Sequence, residues 1–347
     1  MGDRVLIVGC GGIGGILSAH LAAHDGGLIE RPVTLGRNPE VADLVARHGF
    51  RLRGLDGERT VPGRVETRLA EDAGPFDWVL LATQPPQVEA AAEAALPFLA
   101  ERGSVVCFQN GLCEDRVGRI VGRDRVIGGI VAWGAAVPEP GVFERTAHGG
   151  FIVGGVGRTV DEDVLRRLAI LLEPVGPVET AEDLSGHRWS KLALNCAVST
   201  LGTIGGDRLG PLLAKRFVRR LALELMSEVV TVATAEGITL RKIAGTLDLD
   251  WLALTDAERA SSGSPSLMAK HALLLAVGAR YRRMRSSMLR AIERGREPAV
   301  DFLNGEIVDR ADRHEIDVPV NRAARALVHR IATGETESGE SALRALM

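Results

Sequence analysis

Glycines 9, 11 and 14 stand on a G-x-G-x-x-G spacing, whose chemistry is that of a phosphate cradle. Gly9 would make the tight turn, Gly11 would let the backbone approach a pyrophosphate, and Gly14 would let a helix pack closely on a strand. Free amides at a helix start, together with the helix dipole, attract an anion. Cys10, Gly12 and Ile13 belong to the same loop. Glycine clusters also make plain turns, so the flanks decide. Val5 to Val8 reads as a strand buried on both faces. Ile13, Ile16, Leu17, His20 and Leu21 repeat at helical spacing behind the loop. With a strand before it and a helix after it, the loop is read as a dinucleotide site.

A second clue to the ligand lies at Arg37. The segment Pro32 to Gly36 reads as the second strand. An Asp or Glu at its end would accept hydrogen bonds from the adenosine ribose hydroxyls of NAD. Here the chain offers Gly36 and then Arg37. The fork of donors on a guanidinium suits a 2′-phosphate, so NADP(H) is the expected cofactor. The competing reading is a surface arginine after a strand.

The third set is Lys191, Asn195 and Ser199. Lys191 and Asn195 are four apart and share one helix face, and Ser199 lies one turn further on. Leu192, Leu194 and Cys196 occupy other faces. A lysine in such an apolar stretch either snorkels its amine to water or is held there for chemistry.

These groups need elements to position them. The first helix is expected to stop near His24, before Asp25-Gly26-Gly27, and residues 39–47 suit a helix. Residues 50–65 read as a small strand excursion. Phe76 to Thr83 is the next buried strand, ended by Gln84, Pro85 and Pro86. An Ala-rich helix is expected over 87–100, then a strand over Ser104–Phe108 ending at Gln109-Asn110. Arg125 to Trp133 reads as a further strand, followed by Gly134. Gly141 to Gly157 reads as an antiparallel hairpin, Val160 to Leu172 as helix, and Pro177 to Thr180 as the last strand. Ligands collect at the carboxyl ends of strands in doubly wound sheets, so the glycine loop, Arg37, Thr83-Gln84 and Asn110 are expected to face one crevice. Beyond about residue 183 the strand signals stop and helix runs to 333, with breaks at 202–210, 237–239, 261–265, 295–298 and 317–319. The fold class is therefore α/β: an N-terminal Rossmann dinucleotide-binding domain over 1–183 and an all-helical C-terminal domain over 184–347. The tail from Gly334 to Gly339 is polar and expected to be loose.

Bulk properties agree. The 347 residues suffice for two domains, and 46% hydrophobic with 25% charged residues is a globular composition. A net charge of −3 argues against a general nucleic-acid binder. The arginines between 279 and 296 are interrupted by Glu293, and a solvated helix face is the expected reading. Cys10, Cys107, Cys113 and Cys196 match no zinc spacing, so no metal is expected and free thiols in a reducing compartment fit. A strand begins almost at once, so no signal peptide is expected, and no apolar run is long enough to span a membrane. A cytoplasmic enzyme is the expectation.

The chain resembles the ketopantoate reductase family (2-dehydropantoate 2-reductases) over nearly its whole length. The resemblance rests on the opening glycine loop, Arg37, Asn110-Gly-Leu and the stretch from Trp189 to Cys196. Ser286-Ser287-Met-Leu, Asp301 to Gly305, and Val318-Pro319 continue it. It implies a Rossmann domain, a helical domain and a cleft between them. It also implies NADPH reduction of a 2-keto acid to the 2-hydroxy acid. Lys191 would be the general acid, its amine brought below the ordinary range near 10.4 by burial, and it would steady the developing alkoxide. Asn110 and Asn195 would orient substrate and nicotinamide, and Ser287 would hold a carboxylate or other polar end. Gln84 and Gly134 would join the glycine loop, Arg37 and Asn110 around the cofactor, and Ser199 would join the substrate residues. A homodimer is the expected assembly.

Departures from the family pattern cluster at the substrate. Gln84 stands where the family has lysine, Ala299 where it has glutamate, and Ala291 where it has an acidic residue. Ser199, Leu209 and Met284 replace asparagines. A hydroxylated substrate would leave polar groups unpaired, at roughly 1–3 kcal/mol for each buried one. The expected function is an NADPH-dependent reductase of another, more apolar carbonyl or imine compound. The alternatives are ketopantoate reduction in pantothenate synthesis and a non-catalytic NADP-binding sensor.

Overall fold

The computed structural model describes residues 2–24, 27, 30–242, 247–261 and 263–347. The chain divides into two compact units. One holds the residues up to Gln109 together with Cys113–Leu184, and the other holds Asn110–Leu112 and Ser185–Met347. Asn110, inside 1–183 by sequence order, is thus part of the second unit.

The first unit begins β1 (Val5–Val8), α1 (Gly12–Ala23), β2 (Val33–Leu35), α2 (Pro39–His48), β3 (Phe50–Gly54), β4 (Arg59–Val61), β5 (Phe76–Leu81) and α3 (Val88–Ala95). It continues β6 (Leu99–Cys107), α4 (Glu114–Val121), β7 (Val126–Val131), β8 (Gly134–Ala136), β9 (Val142–Ala147), β10 (Phe151–Gly155), α5 (Glu162–Leu172) and β11 (Val178–Asp183). A seven-stranded sheet has the order β11-β10-β7-β6-β5-β1-β2. Its strands from β7 to β2 are parallel, while β10 runs antiparallel to β7. The strand order reverses between β1 and β5, the place where such sheets bind ligands. All four residues of β1 are buried, as a continuous apolar run in a parallel sheet requires. α1 stops where the sequence places its end, at Ala23 with His24 as the C-cap, while Asp25 and Gly26 lie outside the described residues.

Three local expectations change. The Ala-rich helix over 87–100 stops at Ala95, because Pro97 cannot continue it; a 3₁₀ turn Leu96–Phe98 follows and β6 already starts at Leu99. Residues 141–157 do not form a hairpin. β9 joins β3, β4 and β8 in a second sheet of order β4-β3-β9-β8, while β10 pairs with β7 and β11. Alternating sequence predicts a strand without naming its partner. The second sheet covers α1: a Cβ on Gly15 would lie 2.1 Å from the ring of Phe143 in β9.

The second unit comprises α6 (Ser185–Gly205), α7 (Leu209–Ala214), α8 (Arg216–Ala235), α9 (Leu249–Leu252), α10 (Asp256–Ala260), α11 (Pro265–Arg280), α12 (Ser287–Glu293), α13 (Asn304–Arg313), α14 (Pro319–Ala332) and α15 (Glu340–Arg344). Leu192, Ala193, Cys196 and Ile204 of α6 share one core with Met226 and Val229 of α8 and Val328 of α14. The third change is in the tail. Glu335 N donates to Arg330 O, Gly339 N donates to Ile204 O at 2.7 Å, and α15 buries Ala342 and Leu343. The segment is tied down by contacts its polar sequence does not advertise. Among the described residues no helix is long and apolar enough to cross a membrane, and no group of three or more His, Cys, Asp or Glu could hold a metal ion.

Candidate functional site

In the first unit the glycine loop sits where β1 meets α1. Gly9 has φ +106°, a conformation that glycine alone adopts without strain, and a Cβ there would lie 2.8 Å from Thr83 N. The loop is therefore pressed against the segment after β5. A Cβ on Gly14 would lie 1.7 Å from Gly9 O, so helix and turn close on one another only through a glycine. Around Gly11, by contrast, nothing lies within 4 Å of the Cβ position. Gly11 is exposed and precedes α1 without a side-chain cap. These features fit a pyrophosphate at the helix start: open backbone, no competing side chain, and the positive end of a helix. Ile13 is half-buried against the apolar core, and burial pushes the Cys10 thiol up to about 12, which keeps it neutral.

Several expected cofactor residues converge on this loop. A Cβ on Gly36 would meet Cys10 Cβ at 3.0 Å, so the end of β2 touches the loop. Arg37 follows, exposed, and its side chain makes no hydrogen bond or ion pair among the described residues. Asn38 next to it caps α2, accepting from Glu40 N at 3.0 Å. Gly134 opens β8, whose Ala135 Cβ lies 2.9 Å from the Cβ position of Gly12. Gln84 is exposed just past β5. Gln109, which sequence reasoning passed over, is buried and donates from Nε2 to Thr83 Oγ1 at 3.2 Å, tying the ends of β5 and β6 together.

In the second unit Lys191, Asn195 and Ser199 lie half-buried along α6, between buried Leu192, Ala193 and Cys196. The Nδ2 of Asn195 is buried and has no hydrogen-bond partner among the described residues. An orphaned donor of that kind costs roughly 1–3 kcal/mol unless a water or ligand satisfies it. The paired serines divide their work. Ser286 is buried; its Oγ donates to Ser199 O at 2.9 Å, lies 2.8 Å from Thr203 Oγ1 and accepts from Leu289 N, capping α12. Ser287 is left exposed at the first position of α12. Gly111, with φ +94°, has its Cβ position 2.3 Å from Phe302 O, and Leu112 is buried in the helical core. Asn110 is thereby presented, exposed, from the same body as Lys191.

The apolar replacements also have places. Leu209 is buried, and its amide donates to the carbonyl of Met284 at 2.9 Å. Leu209 lines an apolar cavity of about 20 Å³ inside the helical core together with Leu194 and Val198 of α6. Ala291 and Ala299 are half-buried.

Comparison with known proteins bears on this arrangement. The description Ketopantoate reductase PanE/ApbA matches residues 5–157, and its C-terminal counterpart matches residues 183–332. The chain belongs to the ketopantoate reductase family. Within that family it is 26% identical over 327 residues to the 2-dehydropantoate 2-reductase of Pyrococcus horikoshii, covering 94% of this chain and 96% of the relative. A PanE/ApbA family ketopantoate reductase from Ralstonia eutropha has the same fold, with TM-score 0.77 and 24% identity over 96% of this chain and 99% of that one. A D-mandelate dehydrogenase, solved with NADH and anilino(oxo)acetate, shares the fold at TM-score 0.78 and 16% identity, covering 95% of this chain and 98% of its own.

Proposed function

We propose that this ketopantoate reductase family member reduces the carbonyl of a 2-keto acid or related ketone or imine with NADPH. The observation that carries the reading is the α6 face on which Lys191 stands one turn before an asparagine with a buried, unbonded amide. NADPH, when bound, supplies the hydride. The loop from Gly9 to Gly14 holds its pyrophosphate on open backbone amides, with Gly134 and Gln84 beside it. Arg37, unpaired among the described residues, takes the 2′-phosphate in place of the acidic residue an NAD enzyme would use. Lys191 gives its Nζ proton to the substrate oxygen and leaves the alkoxide neutralised. Asn195 and Asn110 hydrogen-bond and orient the reacting groups, and Ser287 and Ser199 hold the polar end of the substrate.

Leu209 in place of an asparagine, with Ala291 and Ala299 in place of acids, favours a substrate with fewer hydroxyls than ketopantoate. The names of relatives such as the Pyrococcus protein favour ketopantoate itself. The test is to titrate NADPH and NADH into the protein, add ketopantoate, and follow the absorbance of the reduced nicotinamide. Rapid NADPH oxidation assigns ketopantoate. Tight NADPH binding with inert ketopantoate, followed by turnover of apolar 2-keto acids, assigns the altered substrate. Tight binding with no turnover of any carbonyl overturns the enzyme reading in favour of a sensor.

A further inference from the structure

A fully buried polar chain runs behind α6. Glu228 of α8 accepts from Val320 N at 2.9 Å and Asn321 N at 2.8 Å, at the start of α14. The Asn321 side chain donates to Glu228 Oε2 at 2.7 Å and to Leu225 O at 3.1 Å. Its Oδ1 accepts from Asn304 Nδ2 at 2.9 Å. Asn304 Nδ2 also donates to Cys196 O at 3.2 Å, and its Oδ1 accepts from Thr200 Oγ1 at 2.6 Å. Asn304, Asn321 and Thr200 are each 0% exposed, so no water competes.

The direction of every bond follows from one end. The Glu228 carboxyl accepts, so Asn321 must turn its amino group toward it and its oxygen toward Asn304. Asn304 must then turn its amino group toward Asn321 and Cys196 O, and its oxygen toward Thr200. Both amide side chains use all their donor hydrogens, and a flip of either breaks several bonds at once. Asn304 therefore grips α6 in one orientation at two points a turn apart.

Those points lie behind the face that carries Lys191. At about 100° per residue, Cys196 lies roughly 140° round the helix from Lys191, and Thr200 roughly 180°. Asn195 lies roughly 100° from Cys196 and 140° from Thr200, while Ser199 is nearer, roughly 60° from Cys196. A roll of α6 by about 10° moves a group about 5–6 Å from its axis by about 1 Å, and a misplacement of about 1 Å costs on the order of 100-fold in rate.

We propose that Asn304, oriented by Asn321 and Glu228, is a positioning residue that sets the roll of α6 and so places Lys191 for proton donation and Asn195 for hydrogen bonding. The proposal rests on the reductase reading of Lys191. The chain has few lysines, Lys191, Lys215, Lys242 and Lys270, which makes a direct probe practical. Lys215 and Lys242 are paired with Glu340 and Asp248, and Lys270 with Glu258.

The test uses the full chain and the variants Asn304→Ala, Thr200→Val and Thr200→Ser. Each is assayed for kcat, KM, NADPH Kd and melting temperature, and for the NMR signals of lysines reductively methylated with ¹³C. Asn304→Ala is expected to lose about 10- to 100-fold in kcat with NADPH Kd within about twofold. Its Lys191 signal shifts more than those of Lys215, Lys242 and Lys270. Thr200→Val moves the same way more weakly, and Thr200→Ser, which keeps the hydroxyl, restores kcat and the Lys191 signal. If folded Asn304→Ala keeps the wild-type kcat and Lys191 signal, the network is only structural and the proposal falls. If Asn304→Ala does not fold, the Thr200 pair decides: equal kcat and equal Lys191 signals in Val and Ser overturn it. If the wild type reduces no carbonyl, the reductase reading fails, while the Lys191 signal still decides whether Asn304 sets α6.

Discussion

Gly14 faces the carbonyl oxygen of Gly9 so closely that a Cβ on Gly14 would lie 1.7 Å from it, whereas a Cβ on Gly11 would meet nothing within 4 Å. The two glycines of one motif are therefore required for different reasons. Gly14→Ala is expected to destabilise the first unit by about 1–3 kcal/mol or more, through overpacking against backbone. Gly11→Ala is expected to leave the melting temperature unchanged and to raise the NADPH Kd at least about tenfold, since its methyl group takes the space of the pyrophosphate. Thermal melts with fluorescence titration check both; equal behaviour of the two variants would contradict the assignment.

If Arg37 takes the 2′-phosphate, its removal separates the two nicotinamide cofactors. Removing a charge-assisted hydrogen bond costs about 1.5–3 kcal/mol. Arg37→Ala should therefore weaken NADPH roughly 10- to 100-fold and leave NADH unchanged. Parallel titrations with both cofactors decide it, and equal losses for the two would remove Arg37 from the 2′-phosphate site.

Lys191 and Asn195 lie one turn apart on α6 and should fail in different ways. Lys191→Met is expected to lower kcat/KM by about 10²–10⁴ with NADPH binding intact. Lys191→Arg should not restore it, because a guanidinium does not give up its proton. Asn195→Ala removes a buried donor with no partner among the described residues. It should keep or raise the stability of the free protein by up to about 1 kcal/mol while lowering kcat/KM. A loss of stability together with unchanged turnover would show that the amide serves the fold alone.

The buried pair Lys270–Glu258, at 2.6 Å, predicts a pH dependence. Burial pushes the Glu258 carboxyl up, but bonds from Lys270, the Thr255 amide and Ser266 outweigh it and hold the group at about 2. An unfolded glutamate titrates near 4.3. Because the folded value is the lower one, the stabilisation is present in full above the unfolded value and is lost as pH falls toward 2. Lys270→Met leaves the carboxylate buried without its cation and should cost about 3–5 kcal/mol at neutral pH. Urea unfolding at stepped pH should show the gap to wild type narrowing below about pH 4. A gap constant down to pH 3 would contradict it.

Features with a local cause were legible from the chain. The run Val5 to Val8 followed by glycines at 9, 11 and 14 specifies a buried strand, a tight turn and a helix start within a few residues of one another. Asn38 and Pro39 mark the start of α2 in the same way. Pro97, which ends α3 early, is equally local, and it outweighs the helix preference of the alanines before it. The strands β9 and β10 were legible as strands and not as members of different sheets, because the pattern of a strand records which face is buried and not what buries it.

The sequence by itself determined the parallel sheet with its glycine turn, the change to helix near residue 184, and the common face of Lys191 and Asn195. Each follows from spacing along a few turns or one strand. Only the tertiary structure decided that Ser286 is the buried cap and Ser287 the exposed neighbour, that Asn110 rides with the helical unit, and that Asn304 reaches α6. Asn304 meets Asn321 across 17 residues of chain and Cys196 across 108, and Asn321 meets Glu228 across 93. Periodicity reports an element's own faces, while a hydrogen bond between elements depends on how those faces are rolled against each other. That roll is set by the packing of the whole core.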